Sequence, residues 1–423
     1  MRVEIVGGGI TGLALAHFLR GRGIECAVRE ASDRPGGVIE SGRAGGRVLD
    51  FGPQRTRLTP AVADLVDALG IRDRTVAAPD LPLFVYHDGA LRRVPRTLRG
   101  AAATDLLSPS GKLRALLEPV RGLPRAGESV EGYFQRAFGS EVARRLGGPL
   151  YAGLYASDPA EMPVEHSLAR AFDRLGVERS VLLAALRARI RGRTPPPAVS
   201  FEDGMETLPR ALYRRHRESV RLGEAVTDIR HDGEKYSLTA DGDEPTADAV
   251  ILTTPAYASA RIIEGFDDRA ARRLEDLTYN PLAVVHLRSV AGLDGAGYQV
   301  SLDADLVTRG VTCNDALFDR DGVYTCYLGG ATRPGVVEWS PDRLGRVAAG
   351  EFERVTGSEA RVLSAQRYPR AMPAYDDSWD ALADVSLPED VHLCASFESR
   401  AGIPGRIRAA KRLAASLAGG EAG

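Results

Sequence analysis

The start of the chain constrains its fold more than any other stretch. Val3-Glu4-Ile5-Val6 is a short strand-like run that stops at Gly7-Gly8-Gly9, and Ile10 to Leu19 then shows helical periodicity before Gly21 and Gly23. Strand, glycine turn and helix meet at Gly7-x-Gly9-x-x-Gly12, with Thr11 inside the motif. The first glycine permits a tight turn, the second lets a pyrophosphate approach the backbone, and the third lets the helix pack closely. The helix start offers unpaired N–H groups and a positive dipole end to phosphate. Ile24 to Arg29 reads as a second strand ending at Glu30, about 20 residues past the turn, where a carboxylate can accept hydrogen bonds from a ribose. A glycine turn can be a plain connection, but here strand, helix, second strand and terminal acid agree. They predict an α/β, doubly wound dinucleotide fold.

Composition narrows the function classes. With 55 basic and 57 acidic residues among 423, the chain is not expected to be a dedicated nucleic-acid binder. Cys26, Cys313, Cys326 and Cys394 form no CxxC pair, so neither structural zinc nor a disulfide framework is expected, as suits a reducing, cytoplasmic setting. Met1-Arg2 leads straight into the first strand, without the pattern of a secretory signal. No apolar run approaches the ~20 residues needed to span a bilayer, so any membrane contact is expected to be peripheral.

Glu30-Ala31-Ser32-Asp33-Arg34-Pro35-Gly36-Gly37 resembles the ExxxRxGG extension of glutathione-reductase-type flavoproteins, particularly their amine-oxidase-like branch. The resemblance implies FAD as cofactor. Arg34 can supply a charge, and Gly36 and Gly37 a close-approach backbone, to its pyrophosphate. Later segments read as returns to the same domain: a glycine turn at Gly204 leading into a helix, short strands at Val220 to Val226 and Tyr236 to Ala240, and a buried strand from Ala249 to Thr254. Val226 faces the adenine in this flavoprotein class, or is a core valine. Val391 to Ser396 reads as a last strand, after which Gly402-Ile403-Pro404 opens a helix. The N-terminus of that helix can stabilise negative charge at the flavin N1/O2 edge, or the helix can simply close the domain.

These returns give a discontinuous FAD-binding domain at residues 1–58, 198–261 and 386–423, a mixed-sheet substrate domain at 59–90 and 262–385, and a helical insert at 91–197. Arg92, Arg93, Arg96, Arg99, Lys112, Arg114, Arg121 and Arg125 crowd the insert, and Arg187, Arg189, Arg191 and Arg193 end it. Such a run reads as a solvated helical face, as a surface for anionic membrane given the interleaved leucines, or as recognition of substrate carboxylates.

Collinear with this plan, the chain resembles the oxygen-dependent protoporphyrinogen/coproporphyrinogen oxidase family over nearly its whole length. Gly36-Gly37-Val38-Ile39-Glu40-Ser41 and Asp50-Phe51-Gly52-Pro53 are similar to segments that lie beside the flavin in that family. Leu107 to Pro119 is similar to its membrane-facing helical segment. Glu128-Ser129-Val130, Phe138 to Val142, Gly153 to Pro159, Tyr327 to Ala331 and Ala371 to Tyr375 follow its order. The resemblance implies removal of six electrons from a tetrapyrrole porphyrinogen, with dioxygen as acceptor and hydrogen peroxide as product. It implies basic anchors for the propionates, for which Arg92 or Arg99 is the first choice and Arg57 the second. It leaves open which porphyrinogen is used and whether the protein is a monomer or a homodimer.

The chain departs from the family in having Asp377-Ser378-Trp379 where a Gly-His pair usually stands, Cys394 or Ala395 for a glycine, Gly405-Arg406 for an acid, and Arg400 in a loop of small residues. Two other readings therefore stay open. One is an amine-oxidase-like or carotenoid-desaturase-like flavoenzyme with another bulky substrate; the other is a flavin-binding protein without this chemistry.

Overall fold

Val3 and Ile5 share one side of β1 (Arg2–Val6), and the same side of the neighbouring strands carries Cys26, Val28, Ala249 and Ile251, all buried. The strands run in the order Val220–Leu222, β2 (Glu25–Glu30), β1, Ala249–Leu252, Val391–Leu393, with every pairing parallel. A parallel sheet of this kind is stable only when both faces are covered. α1 (Ile10–Arg20) lies on the apolar side and buries Ile10, Leu13, Ala14, Leu15, Ala16 and Leu19. It is apolar nearly all round because the helix Ile403–Leu417 packs against it through Ile403, Ile407, Ala410 and Ala414. The opposite side of β1 carries the buried Glu4, which is ion-paired at 2.9 Å with Arg29, and Arg29 also meets Glu224. Charges this deep persist only when paired. The last strand stops at Leu393, short of the expected Ser396, where the chain turns into the short helix Ser396–Ser399.

These elements belong to the first of two units in a computed structural model that describes residues 1–190, 194–399 and 402–419. Arg191, Arg193 and Arg400, named above, lie outside those residues. The first unit comprises Met1–Ala78, Pro196–Leu277 and Asp380–Gly423; the second comprises Pro79–Pro195 and Thr278–Trp379. The helical insert thus shares a unit with the mixed sheet, and residues 59–78 and 262–277 fall in the nucleotide-fold unit.

The second unit is built on a seven-stranded mixed sheet. Its order is Ala360–Pro373, Tyr279–Ser289, Val323–Gly329, Thr308–Cys313, Gly297–Val300, Leu83–His87, Ala90–Arg93, with one parallel pairing between Gly297–Val300 and Leu83–His87. Ala283, Val285, Tyr324 and Cys326 face the helix Pro341–Thr356, whose Leu344, Ala348 and Phe352 complete a second core. The insert adds helices at Pro109–Ala115, Glu118–Arg121, Val130–Phe138, Gly148–Tyr155 and Val181–Ile190, among others. Glu118 is fully buried between two of them and accepts hydrogen bonds from the Ser180 hydroxyl (2.5 Å) and the Val181 N–H (2.8 Å), capping the start of Val181–Ile190. Among the described residues no helix is long and apolar enough to cross a membrane.

The Asp377-Ser378-Trp379 departure has a local structure. Asp376 accepts hydrogen bonds from the Ser378 N–H (3.0 Å) and from the Thr278 hydroxyl (2.7 Å), which closes a turn. Trp379 is buried, stacks on Tyr375 at 4.8 Å between ring centroids, and donates its indole N–H to the Ala374 carbonyl.

Candidate functional site

Gly7 adopts φ +107°, a conformation side chains rarely take, and its N–H bonds the Arg29 carbonyl at 2.8 Å. A Cβ at Gly12 would lie 2.0 Å from the Gly7 carbonyl oxygen, so the third glycine serves contact within the turn itself. Gly9 differs, since a Cβ there would meet nothing within 4 Å. Gly9 also caps α1 without any side-chain hydrogen bond, and Thr11 sits buried in the first helical turn. A helix start with uncapped N–H groups, opening through Gly9 onto free space, has the donor chemistry and the room that a pyrophosphate requires.

Glu30 ends β2 where the sequence places it, and its carboxylate already closes the loop. It accepts from the Gly8 N–H (2.6 Å) and from the Ser32 N–H (2.9 Å) and hydroxyl (2.7 Å). A carboxylate has about four acceptor positions, so capacity remains for a ribose hydroxyl. The Gly36 N–H bonds the Gly8 carbonyl at 2.8 Å, which brings the Gly36-Gly37 segment beside Gly9. Arg34 does not stand free. It donates to the Gly37 carbonyl (2.8 Å) and pairs with Glu40 (2.9 Å), lacing the segment that holds the glycine pair. Gly52 is required by a close approach, because a Cβ would lie 1.9 Å from the Val38 carbonyl oxygen; Pro53 beside it is half-buried.

One cluster was not foreseen. Ser41 and Asp50 flank the hairpin Ser41–Ala44/Arg47–Asp50, and both reach the Gly204 turn. The Ser41 hydroxyl donates to Asp50 at 2.5 Å, Asp50 accepts the Met205 N–H at 2.8 Å, and Ser41 Oγ accepts the Glu206 N–H at 3.0 Å. Gly204, at φ +91°, leaves no room for a Cβ beside Ser41 Oγ and Asp50 Oδ1. Three motifs read separately in the sequence are therefore one knot behind the glycine segment.

Val226 is a buried residue at the start of the antiparallel strand Val226–His231, in the same unit as the turn. Gly402 caps the helix Ile403–Leu417 without a side-chain bond among the described residues; Pro404 in its first turn brings no N–H, and the Gly405 N–H bonds the Gly402 carbonyl at 2.9 Å. Cys394 is buried, and burial pushes its thiol up to about 12, which disfavours the thiolate.

The three arginines chosen as carboxylate anchors fare differently. Arg57 belongs to the first unit and donates to the Pro196 carbonyl at 2.9 Å. Arg92 and Arg99 belong to the second unit, where Arg92 pairs with Asp105 and Arg99 is exposed without an ion-pair partner among the described residues. The rest of the basic run is largely engaged. Arg96 pairs with Asp80, Lys112 donates to the Ala102 carbonyl, and Arg114 donates to the Ala137 and Arg136 carbonyls at the end of Val130–Phe138.

Residues 10–417 match the model of a protein family described as flavin containing amine oxidoreductase. Among curated proteins, the chain is 29% identical over 419 residues to protoporphyrinogen oxidase 1, chloroplastic, of Spinacia oleracea, a match covering 88% of this chain and 74% of that protein. It is 26% identical over 411 residues to coproporphyrinogen III oxidase of Bacillus subtilis (strain 168), covering 88% and 87%. Among solved structures, a protein from Exiguobacterium sp. 255-15 provisionally assigned as a protoporphyrinogen oxidase superposes with a TM-score of 0.82 at 22% identity, over 99% of this chain and 98% of that one.

Proposed function

The chain belongs to the flavin-containing amine oxidoreductase family, and within it we propose an FAD-dependent porphyrinogen oxidase of haem biosynthesis that uses dioxygen as acceptor. The observation that carries this reading is similarity to oxidases of two porphyrinogens, each spanning 88% of the chain in a single match. When bound, FAD would take up the hydrogen equivalents removed from the macrocycle, and the protein supplies binding, orientation and electrostatics. The N–H groups at the start of α1 hold the pyrophosphate, Glu30 a ribose hydroxyl, and Gly36, Gly37, Gly52 and Pro53 the close-approach backbone beside the ring system. Arg34 acts by holding the glycine pair in place. Val226 contributes an apolar contact to the adenine, and the positive dipole end of the helix that starts at Gly402, Ile403 and Pro404 stabilises negative charge on the ring.

For the substrate, Arg99 is the preferred propionate anchor because no carboxylate among the described residues engages it. Arg92 would have to exchange Asp105 for the ligand, and Arg57 is the weakest of the three. Peripheral contact with an anionic membrane is supported by exposed Leu113, Leu116, Leu117 and Val120, which Glu118 ties to the helix carrying exposed Leu183 and Leu186. Apolar side chains beside basic ones suit an interfacial helix.

The test is a paired assay. Purified protein, with FAD content measured, is given protoporphyrinogen or coproporphyrinogen, and porphyrin fluorescence is followed together with oxygen uptake. Fluorescence with one of them is expected. A protein that holds FAD and yields fluorescence with neither overturns the reading. Sedimentation with phosphatidylglycerol vesicles, against phosphatidylcholine alone, tests the membrane contact.

A further inference from the structure

We infer that Thr253 is a positioning residue of the nucleotide turn, holding the Gly7 peptide so that its carbonyl points inward and the uncapped N–H groups at the start of α1 stay available to the cofactor. The inference rests on the FAD reading above. Thr253 follows directly on the strand Ala249–Leu252 and continues its pairing with β1, its N–H bonding the Val6 carbonyl at 2.9 Å. Its hydroxyl oxygen lies 2.9 Å from the Val6 carbonyl and 2.9 Å from the Gly7 carbonyl, so one O–H is shared between the last carbonyl of the strand and the first of the turn.

The positive φ of Gly7 makes that donor necessary. With φ at +107°, the Gly7 carbonyl turns under α1, where Gly12 packs on it so closely that a Cβ would come to 2.0 Å. A carbonyl turned away from solvent needs a donor, and the Thr253 hydroxyl supplies one. Glycine and threonine also fit each other sterically: a Cβ would stand 2.7 Å from Thr253 Oγ1 at Gly7, and 2.9 Å from it at Gly12. The glycines and the hydroxyl are one complementary set assembled from strands 247 residues apart in sequence. Without the donor, the Gly7 peptide gains by rotating its carbonyl toward water. That rotation swings the Gly8 N–H, which shares the same peptide plane, away from the Glu30 carboxylate that holds it at 2.6 Å, and disturbs the turn on which a pyrophosphate would rest.

The test compares Thr253→Val, which keeps the shape and removes the donor, with Thr253→Ser, which keeps the donor. Each holoprotein is diluted and FAD release is followed by the rise in flavin fluorescence. ADP, which has the pyrophosphate and no flavin ring, is titrated as a competitor of rebinding. Thr253→Val is expected to weaken both FAD and ADP by about tenfold or more, the size expected for losing a donor to a buried acceptor, while Thr253→Ser stays within about threefold of the parent. Equal affinities for Thr253→Val and the parent would overturn the inference. So would Thr253→Ser weakening as much as Thr253→Val, because packing and not the hydroxyl would then be the cause. If Thr253→Val does not fold, Thr253→Ala carries the same comparison. A parent that retains no FAD and binds no ADP brings down the cofactor reading and this inference with it; a parent that binds both, with indifferent variants, brings down this inference alone.

Discussion

Glycine crowds the nucleotide turn of the first unit much as arginine crowds the helical insert of the second. In the turn, each glycine answers a separate geometric demand: a positive φ at Gly7, open space at Gly9, a near-contact at Gly12. In the insert, arginines that look interchangeable in sequence divide into those consumed within the fold, such as Arg92, Arg96 and Arg114, and those left to solvent, such as Arg99. Fixed spacing therefore carries information about role, whereas local density of a charged residue carries almost none. A guanidinium can be satisfied by any carbonyl or carboxylate within reach, and its long side chain reaches far.

The sharpest way to break this comparison is inside the turn. Gly12→Ala places a Cβ 2.0 Å from a backbone oxygen, so it is expected to destabilise the first unit by about 3 kcal/mol or more and to abolish retained flavin. Gly9→Ala meets nothing within 4 Å at a backbone conformation alanine accepts, so the protein should melt like the parent. Its FAD affinity should nevertheless fall about tenfold, because the added methyl occupies the ligand's space. Melting temperature and the ratio of flavin to protein absorbance, measured on both variants, decide the matter. Equal behaviour of the two would mean that the glycines are not specialised.

The insert has its own rigid point, which tests whether density or burial governs it. Glu118→Gln removes the charge of a fully buried carboxylate that receives the Ser180 hydroxyl and the Val181 N–H. The amide brings donors where donors already point, at a cost of about 2 to 3 kcal/mol. A denaturation curve should show the loss while flavin content stays at the parent level, since the nucleotide turn belongs to the other unit.

Acid provides a milder perturbation, at the far end of α1. His17 Nδ1 and His216 Nε2 lie 3.0 Å apart. Burial, then the neighbouring His17, Arg20 and Arg215, hold His216 down at about 4. Burial and Arg215 also lower His17. A histidine whose folded value lies below its ordinary 6.5 favours the neutral form, so its contribution is complete above 6.5 and is lost as pH falls through about 4. The melting temperature should drop across that window, and His216→Gln should flatten the profile. An unchanged profile would show that the pair does not set the acid limit.

What the sequence made legible follows the same division. The strand, turn, helix and second strand of residues 2–30 could be read because each signal lies within a few residues of the next, and the parallel sheet follows from them. The FAD cofactor could be read from the same stretch with its Arg34-Pro35-Gly36-Gly37 extension. The knot of Ser41, Asp50 and Gly204 could not, because its partners are brought together across 155 and 165 residues by tertiary folding alone. Thr253 was hidden for the same reason. Trp379 was visible only as a departure from a resembled family; that it stacks on Tyr375 depends on the turn closed by Asp376.

The smallest effects separate two arginines that composition cannot tell apart. Arg114 spends its guanidinium on the Ala137 and Arg136 carbonyls, so Arg114→Ala uncaps the end of Val130–Phe138 and should cost about 1 kcal/mol of stability. Its KM for porphyrinogen should match the parent's. Arg99 makes no such bond among the described residues, and Arg99→Ala should leave the melting temperature within measurement error. If Arg99 meets a substrate carboxylate, its loss should raise KM about threefold to tenfold with kcat little changed, the pattern of binding lost equally from ground and transition states. Should both variants shift stability and neither shift KM, the insert's arginines are structural throughout, and the propionate anchor has to be sought among residues that no charge count marks out.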